Sequence, residues 1–562
     1  MLAWPLLFSN ASMGSDWLLH LWYLWHQSLA IRANHFPSLY LNYSRAVFFP
    51  EYAFYGGTLY ALAGILSLAL GDAPLTAYIL TYCIGFAAAY AGWYWMARIV
   101  GLGRWEAHAP GFVFITSAAY ITIVYGRGDW PEFIGVSMIP LMTAAGLSVL
   151  RADRLRIWPA LALLGASVLF SGSHNMTLLW GTTFLALIGL AILVLVPQAR
   201  HMLTRRGVIR IASLLVPAVL VNAWYLLPAI AYESHTIIGS GYLRGSRYWQ
   251  TMLHNSMHRV SARNLFSFPP VVSTPGYLIF SLPMLAVVWI LTSTAILLRI
   301  GSRGVWMRVL LIISGVTILM LLVMTHVGII EALPRPYTIL QFSYRLESYV
   351  LLGLSGMLLA VLVLVKQSGT PHIKLWTWTL APVLLVSTVG AIQQLNGVPL
   401  TGNRELILSS YLNVQPPGFG QPLLLEDYTT TAVPMMTNTE VIPTTVYFPP
   451  SAVNHDQISE VVHLRAGQLV GSNIGGGPEV VHVTGARVVG VDPEGGDVLE
   501  ILPPANGTST ETISLSRGNS LPVTLGHLLT LIALALLAAE LTWLVIRGLI
   551  VKRTSRLVGG IR

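Results

Sequence analysis

MGSDWLLHLWYLWHQSLA, residues 13–30, is apolar and aromatic, yet it carries Asp16 and His20. Its apolar part is shorter than the roughly 20 residues that a helix needs to cross a bilayer. Tryptophan and tyrosine favour the membrane–water interface, so the stretch reads as a helix over about 16–31 lying in the headgroup plane. Such a helix would hold Asp16 and His20 one turn apart on one face, at the boundary between water and lipid. A plainer reading is that Ser15 or Asp16 caps the helix, and the two readings are compatible.

The surrounding chain supplies the membrane. Of 562 residues, 54% are hydrophobic and only 10% charged, and the mean hydropathy is +0.66. Soluble domains carry about 25% charge. Apolar segments recur at 53–72, 74–97, 109–125, 133–150, 157–171, 175–197, 209–232, 276–299, 308–328, 337–365, 375–395 and 522–547. The fold expected is a polytopic α-helical membrane protein of about 11–13 membrane helices.

The net charge of +9 does not point to nucleic acid. The basic residues lie in short clusters between apolar segments: Arg151, Arg154 and Arg156; Arg200, Arg205, Arg206 and Arg210; Arg299, Arg303 and Arg308; Lys366 and Lys374; Lys552, Arg553 and Arg556. Cytoplasmic loops retain positive charge in this way. Residues 126–132, 233–275, 329–336 and 396–521 then fall outside, and the C-terminal tail inside. Two full crossings between 53 and 97 would place Asp16 inside, against this scheme. Either one of those segments is in-plane or re-entrant, or Arg98 and Arg104 mislead. The one cysteine, Cys83, allows no internal disulfide. Residues 1–13 lack the basic start of a cleavable signal peptide.

The chain divides into a membrane region, 1–395, a stretch of different character, 396–521, and a last membrane helix with a basic tail, 522–562. In 396–521, EVVHVTGARVVGVD and GDVLEILP are β-branched and roughly alternating, and IGGGPE, PEGG and PPANGTS punctuate them. A small extracytoplasmic β-rich domain is expected before the last helix.

Polar groups gather in a few islands. YGRGDWPEFIGV places Asp129 and Glu132, with Arg127 beside them, between two apolar segments. Solvating a turn ahead of Pro131 would explain part of this. SGSHNMTLL carries His174 and Asn175, and a lone histidine there is more often a helix-end polar group than a catalyst. LQFSYRLESYVLL sets Arg345 and Glu347 just inside a membrane helix, where ionisable residues are expensive and default to function. A structural pair of Arg345 with Glu347 or Glu331, or snorkelling, is the bland account. A guanidinium fork suits phosphate, so an anionic lipid headgroup is the preferred partner. Glu540 is the main charge inside the other membrane segments, with no role assigned.

GSDWLLHLW, FFPEYAFYGGTLYALAG, GRGDWPEF, SHN and QFSYRL, in that order over about residues 14–350, resemble the membrane-embedded GT-C glycosyltransferases. The nearer resemblance is to bacterial membrane proteins labelled 6-pyruvoyl-tetrahydropterin-synthase-related. One departure is that the family has a full membrane helix before the first-loop acid, where this chain has about a dozen residues. The resemblance implies a polyprenyl-phosphate sugar donor, a cell-envelope glycan or lipid acceptor, and an inner (plasma) membrane with the β-domain outside. It implies Asp16 as general base, with Asp129 or Glu132 assisting or holding a metal. Arg345 would bind the donor phosphate, and His20, His174 and Asn175 would complete the substrate site. Carboxylates and phosphate oxygens suit Mg²⁺ or Mn²⁺, but no definite ligand set is visible. The other class kept open is a lipid or glycan transporter, or a non-catalytic scaffold on the same fold.

Overall fold

The computed structural model describes residues 2–8, 16–43, 46–201, 203–235, 253, 255–267, 272–273, 278–301, 304–340, 342–368, 377–398, 442–448, 457–463, 465–475, 481–491, 497–502, 511–518 and 520–559. Ser15, Arg303, Lys374, the last four residues of the turn IGGGPE, the turns PEGG and PPANGTS, and much of 233–275 and 396–441 lie outside them.

The principal helices are α1 (Trp17–Asn34), α2 (Gly57–Ala69), α3 (Pro74–Ile99), α4 (His108–Ile115), α5 (Trp130–Arg151), α6 (Ile157–Ser173), α7 (Asn175–Leu195), α8 (Arg205–Leu220), α9 (Ala223–Tyr232), α10 (Met284–Arg299), α11 (Val305–Thr325), α12 (Glu347–Ser368), α13 (Leu380–Asn396) and α14 (Leu521–Gly559). Among the described residues, six helices are by length and composition able to cross a membrane, and eight if the bent pairs over 108–127 and 205–232 each count as one span. Four shorter apolar helices, α2, α6, α10 and α13, complete the set. Every expected apolar segment thus contains a helix or a bent pair, with α10 beginning only at Met284 of the segment 276–299, and the protein is an integral membrane protein. Helix α1 is not among the helices apolar enough to cross. Helix α2 has 13 residues, about 20 Å at 1.5 Å per residue, against a hydrocarbon core of about 30 Å. A full crossing at 53–72 is therefore not what forms.

Packing follows side-chain size. A Cβ on Gly92 would lie 2.3 Å from the Leu141 backbone nitrogen, so α3 and α5 meet backbone to backbone, as small residues permit in membranes. Helix α12 is the axis of the bundle, enclosed on all sides along its span, whereas Leu190, Leu311, Leu385 and Leu528 point outward where lipid would cover them. The break between α8 and α9 bends the pair by 69°. Thr530 of α14 fills the gap: its hydroxyl lies 3.3 and 3.1 Å from the Leu220 and Val221 carbonyls and accepts the Trp224 N–H at 3.0 Å. Backbone groups freed by a break must be re-satisfied inside a membrane protein. Glu540 of the same helix accepts a hydrogen bond from Ser213 at 3.2 Å, which gives this residue a helix-docking part.

Besides the short antiparallel pair β3 (Val272–Ser273) and β4 (Leu278–Ile279), the described residues form two small sheets near the C-terminus. One has the order β5 (Ile442–Val446), β7 (Leu469–Ser472), β10 (Asp497–Ile501), β9 (Ala486–Val491); the other is β6 (Gln457–Val462), β11 (Glu511–Arg517), β8 (Val481–Thr484). All pairs are antiparallel except β5–β7. In register, Leu499 faces Val470 and Leu515 faces Ile458, and these apolar residues share one core between the sheets. That core also contains Phe48, Phe54, Trp224 and Tyr225 of the helical region. Among these, Phe48 belongs to the hairpin β1 (Leu41–Tyr43)–β2 (Ala46–Phe49). Backbone bonds from Val47 to the Asn473 carbonyl (2.8 Å) and from Gly475 to the Val47 carbonyl (2.9 Å) fix the seam. The strands are packed onto the helices as well as connected through the chain.

Candidate functional site

The site begins with a turn. Residues Thr122–Arg127 form a single π-helical stretch, a rare form that is frequent at functional sites. It ends at Gly128, whose φ of 70° is the left-handed conformation glycine adopts freely. The chain then reverses into α5 with Asp129 at its N-cap, Oδ1 accepting the Glu132 N–H at 3.2 Å. The Arg127 carbonyl accepts the backbone N–H of Asp16 at 3.0 Å. Asp16 of the early island and Arg127 of the later island GRGDW are therefore in direct contact.

Two further helices start at the same place. His174 is the N-cap of α7, Nδ1 accepting the Thr177 N–H at 3.2 Å. Arg345 lies in the 3-10 turn Ser343–Leu346 that leads into α12. Tyr349 of α12 donates to the Thr177 carbonyl at 3.2 Å, tying these two starts together. Three helix N-termini thus converge, and each carries a partial positive charge.

The charges are buried and interlocked. Arg127 Nη2 lies 2.6 Å from Glu132 Oε1, with both side chains inside. Arg345 is held less closely: Nη2 is 3.4 Å from Asp129 Oδ2 and Nε 3.5 Å from Glu132 Oε2. Strong charge-assisted bonds run about 2.7–2.9 Å. Arg345 also reaches His174 Nε2 at 3.3 Å, and 17% of its side chain remains exposed. Arg127 sits over the Tyr344 ring and Arg345 over Phe342, at 5.1 and 5.6 Å. The expected pairing of Arg345 with Glu347 or Glu331 is corrected: Asp129 and Glu132, remote in sequence, take that place. The turn-solvation account of Asp129 and Glu132 is corrected too, since both are 2% exposed.

His20 is buried in α1. Its Nδ1 lies 2.7 Å from the Tyr60 hydroxyl, and its ring is parallel to Tyr55, 7° between planes and 5.6 Å between centroids. Tyr55 meets His174 edge-on at 5.5 Å. Asn175 donates to the Phe54 carbonyl at 2.9 Å. A Cβ on Gly56 would fall 1.8 Å from the Ser173 carbonyl, so residues 54–56 lie hard against 173–175. Asp16 occupies the N-cap position of α1, but its side chain makes no capping bond and it is exposed at the rim. His20 turns inward to the tyrosines instead of standing beside Asp16 on an open face.

Burial opposes charge here. It pushes His20 down to about 4 and His174 down to about 3, so both imidazoles are neutral at pH 7. Burial would raise the Asp129 carboxyl, but Arg345 and then Arg127 outweigh it and hold Asp129 below the usual carboxylate range.

The expected Mg²⁺ or Mn²⁺ does not fit these residues. Asp129 and Glu132 both face fixed guanidinium groups, which would repel a cation placed between them. Among the described residues no group of three His, Cys, Asp or Glu side chains is placed to hold a metal ion. Sequence reasoning also missed Tyr55 and Tyr60. Their only signal is the aromatic density of PEYAFYGGTLY, part of one of the GT-C-like motifs. No family model, no curated protein and no solved structure matches this chain.

Proposed function

We propose that the chain is a membrane glycosyltransferase. It moves a sugar from a polyprenyl-phosphate donor to a cell-envelope glycan or lipid on the external face of the plasma membrane, where the β-strand region also lies. One observation carries this reading: three helix N-termini converge on Arg345, a cation with loose partners and partial exposure, and the exposed Asp16 is tied by its backbone to Arg127 of the same cluster. Helix N-termini and a guanidinium together make an anion site, and an amphiphilic phosphate at a membrane boundary suits it. The order of motifs shared with GT-C enzymes supports the same assignment.

In this scheme the acceptor hydroxyl oxygen attacks the anomeric carbon and its proton passes to the Asp16 carboxylate. The bond from anomeric carbon to phosphate oxygen breaks, and the phosphate leaves with the electron pair, inverting the centre. Arg345 and the helix N-termini stabilise the charge that develops on the departing phosphate. Asp129 and Glu132 act as positioning residues that aim Arg345; they carry no metal.

The test uses the purified full chain in vesicles, with a labelled pool of polyprenyl-phosphate sugars and envelope glycan from the producing cell. The expected result is label in glycosidic linkage, reduced by at least about 100-fold in Arg345→Gln. Label that crosses the vesicle without forming a glycosidic bond would replace this reading with transport. No transfer and no crossing would leave a scaffold.

A further inference from the structure

Around Tyr55 the polar atoms do not all find partners. His20 Nε2, Asn175 Oδ1 and Arg345 Nε are buried and lack a hydrogen bond. Buried polar groups are normally satisfied, so each such atom calls for an explanation. These atoms belong to one neighbourhood: His20 is stacked on Tyr55, Tyr55 meets His174, Arg345 reaches His174, and Asn175 follows His174 in the chain.

Their chemistry specifies a complement. Asn175 Nδ2 is committed to the Phe54 carbonyl, so Oδ1 can only accept, and a ligand must donate to it. His20 Nδ1 is committed to Tyr60, which leaves Nε2 of a neutral ring to bond one hydroxyl. Arg345 Nε can only donate, and Glu132 Oε2 at 3.5 Å is too distant for a strong bond, which leaves room for a nearer acceptor. Tyr55, half-buried, supplies an aromatic surface among these groups. A bare phosphate would satisfy Arg345 and leave the other two atoms unfilled. A ring bearing several hydroxyls and joined to a phosphate would satisfy all three.

We infer that Tyr55, His20 and Asn175 form the subsite for the donor's sugar ring, next to its phosphate on Arg345. The inference rests on the glycosyltransferase reading and adds specificity residues to it. Tyr55 is the one that sequence reasoning passed over.

The experiment compares binding of farnesyl phosphate with farnesyl-phosphoryl hexoses and pentoses to the full chain in lipid nanodiscs, by calorimetry. At least one glycosylated probe should bind about tenfold or more tighter than farnesyl phosphate, since net hydrogen bonds contribute about 1 kcal/mol each. Tyr55→Leu and His20→Phe should erase that increment and leave farnesyl phosphate binding in place. Retained farnesyl phosphate binding in both variants shows that they are folded. Arg345→Gln should weaken both kinds of probe. Equal binding of glycosylated and bare probes would mean that water alone fills the orphan positions; the ring subsite would be wrong while the phosphate site stood. An increment untouched by Tyr55→Leu would also overturn the subsite. Failure of every probe to bind would sink the glycosyltransferase reading with it.

Discussion

Helices α5, α7 and α12 start around two buried cations and end at exposed ones, and the two ends use charge differently. At the N-terminal ends Arg127 and Arg345 are buried beside carboxylates. At the C-terminal ends Arg151, Arg200 and Lys366 are exposed and donate to carbonyls: Ile99 at 2.7 Å, Leu193 and Val194 at 2.6 and 2.8 Å, and Gly101 at 2.7 Å. A cation at a helix C-terminus complements the helix dipole and fills orphan acceptors. A cation at an N-terminus opposes the dipole and needs an anion. The Asp129 and Glu132 carboxylates supply part of that need. The loose 3.4 and 3.5 Å contacts of Arg345 leave the remainder unmet, and the proposed phosphate would supply it.

The largest effect is expected from removing the tightly held member of the N-terminal pair. Arg127→Met leaves Glu132 without its 2.6 Å partner in a buried position. Breaking a buried pair from one side costs about 3–5 kcal/mol. Thermal unfolding in detergent should show a large fall in Tm, and Arg127→Met/Glu132→Leu should recover most of it. If the single variant is as stable as wild type, the cluster is solvated and the contrast between the two ends fails.

Next in size is Asp16→Asn. The side chain is exposed and caps nothing, so the fold should be kept. Loss of a general base costs about 10²–10⁴-fold in rate. Full transfer activity in folded Asp16→Asn would remove Asp16 from the chemistry and leave the anion site alone.

The helices were legible because hydrocarbon-length apolar runs have few alternative structures. The strands at 481–491 and 497–501 were legible from β-branched alternation. The site was legible only as islands. Asp129, Glu132, His174 and Arg345 stood out because charge and imidazole are costly in such surroundings, yet their pairing could not be read. Arg345 had two nearer acids in sequence, Glu331 and Glu347; the convergence of three helix starts selected Asp129 and Glu132 instead. Tyr55 was invisible for the opposite reason, since an aromatic residue among aromatics carries no local signal. Its position follows from Gly56 and Asn175, which press two distant segments together.

A smaller, graded effect comes from the neutral histidines. Their folded values, about 4 for His20 and about 3 for His174, lie below the ordinary 6.5. Between these values the unfolded chain binds protons that the folded chain refuses, so stability should fall as pH drops from about 6.5 toward 4. Asp129 acts in a lower window. Its carboxyl is depressed, so its stabilisation is full above the ordinary 3.8 and is lost as pH falls through the lower folded value. Tm measured against pH should therefore decline in two stages, and His20→Gln should flatten the first. A flat profile from pH 7 to 4.5 in wild type would mean that water reaches both imidazoles.

The smallest effect belongs to the C-terminal ends, and it separates their role from that of the site. Arg151→Ala removes one exposed donor from the Ile99 carbonyl, a group at the end of α3 that water can also reach. Cations on helix C-termini contribute about 0.3–1 kcal/mol, and less at high salt. The variant should lose that much stability at low ionic strength, lose less in 0.5 M salt (about a Debye length of 4 Å), and transfer sugar at the wild-type rate. A change in transfer that salt does not alter would mean that charge at this end acts on the site along α5, and the two ends could no longer be treated as separate uses of the same residue.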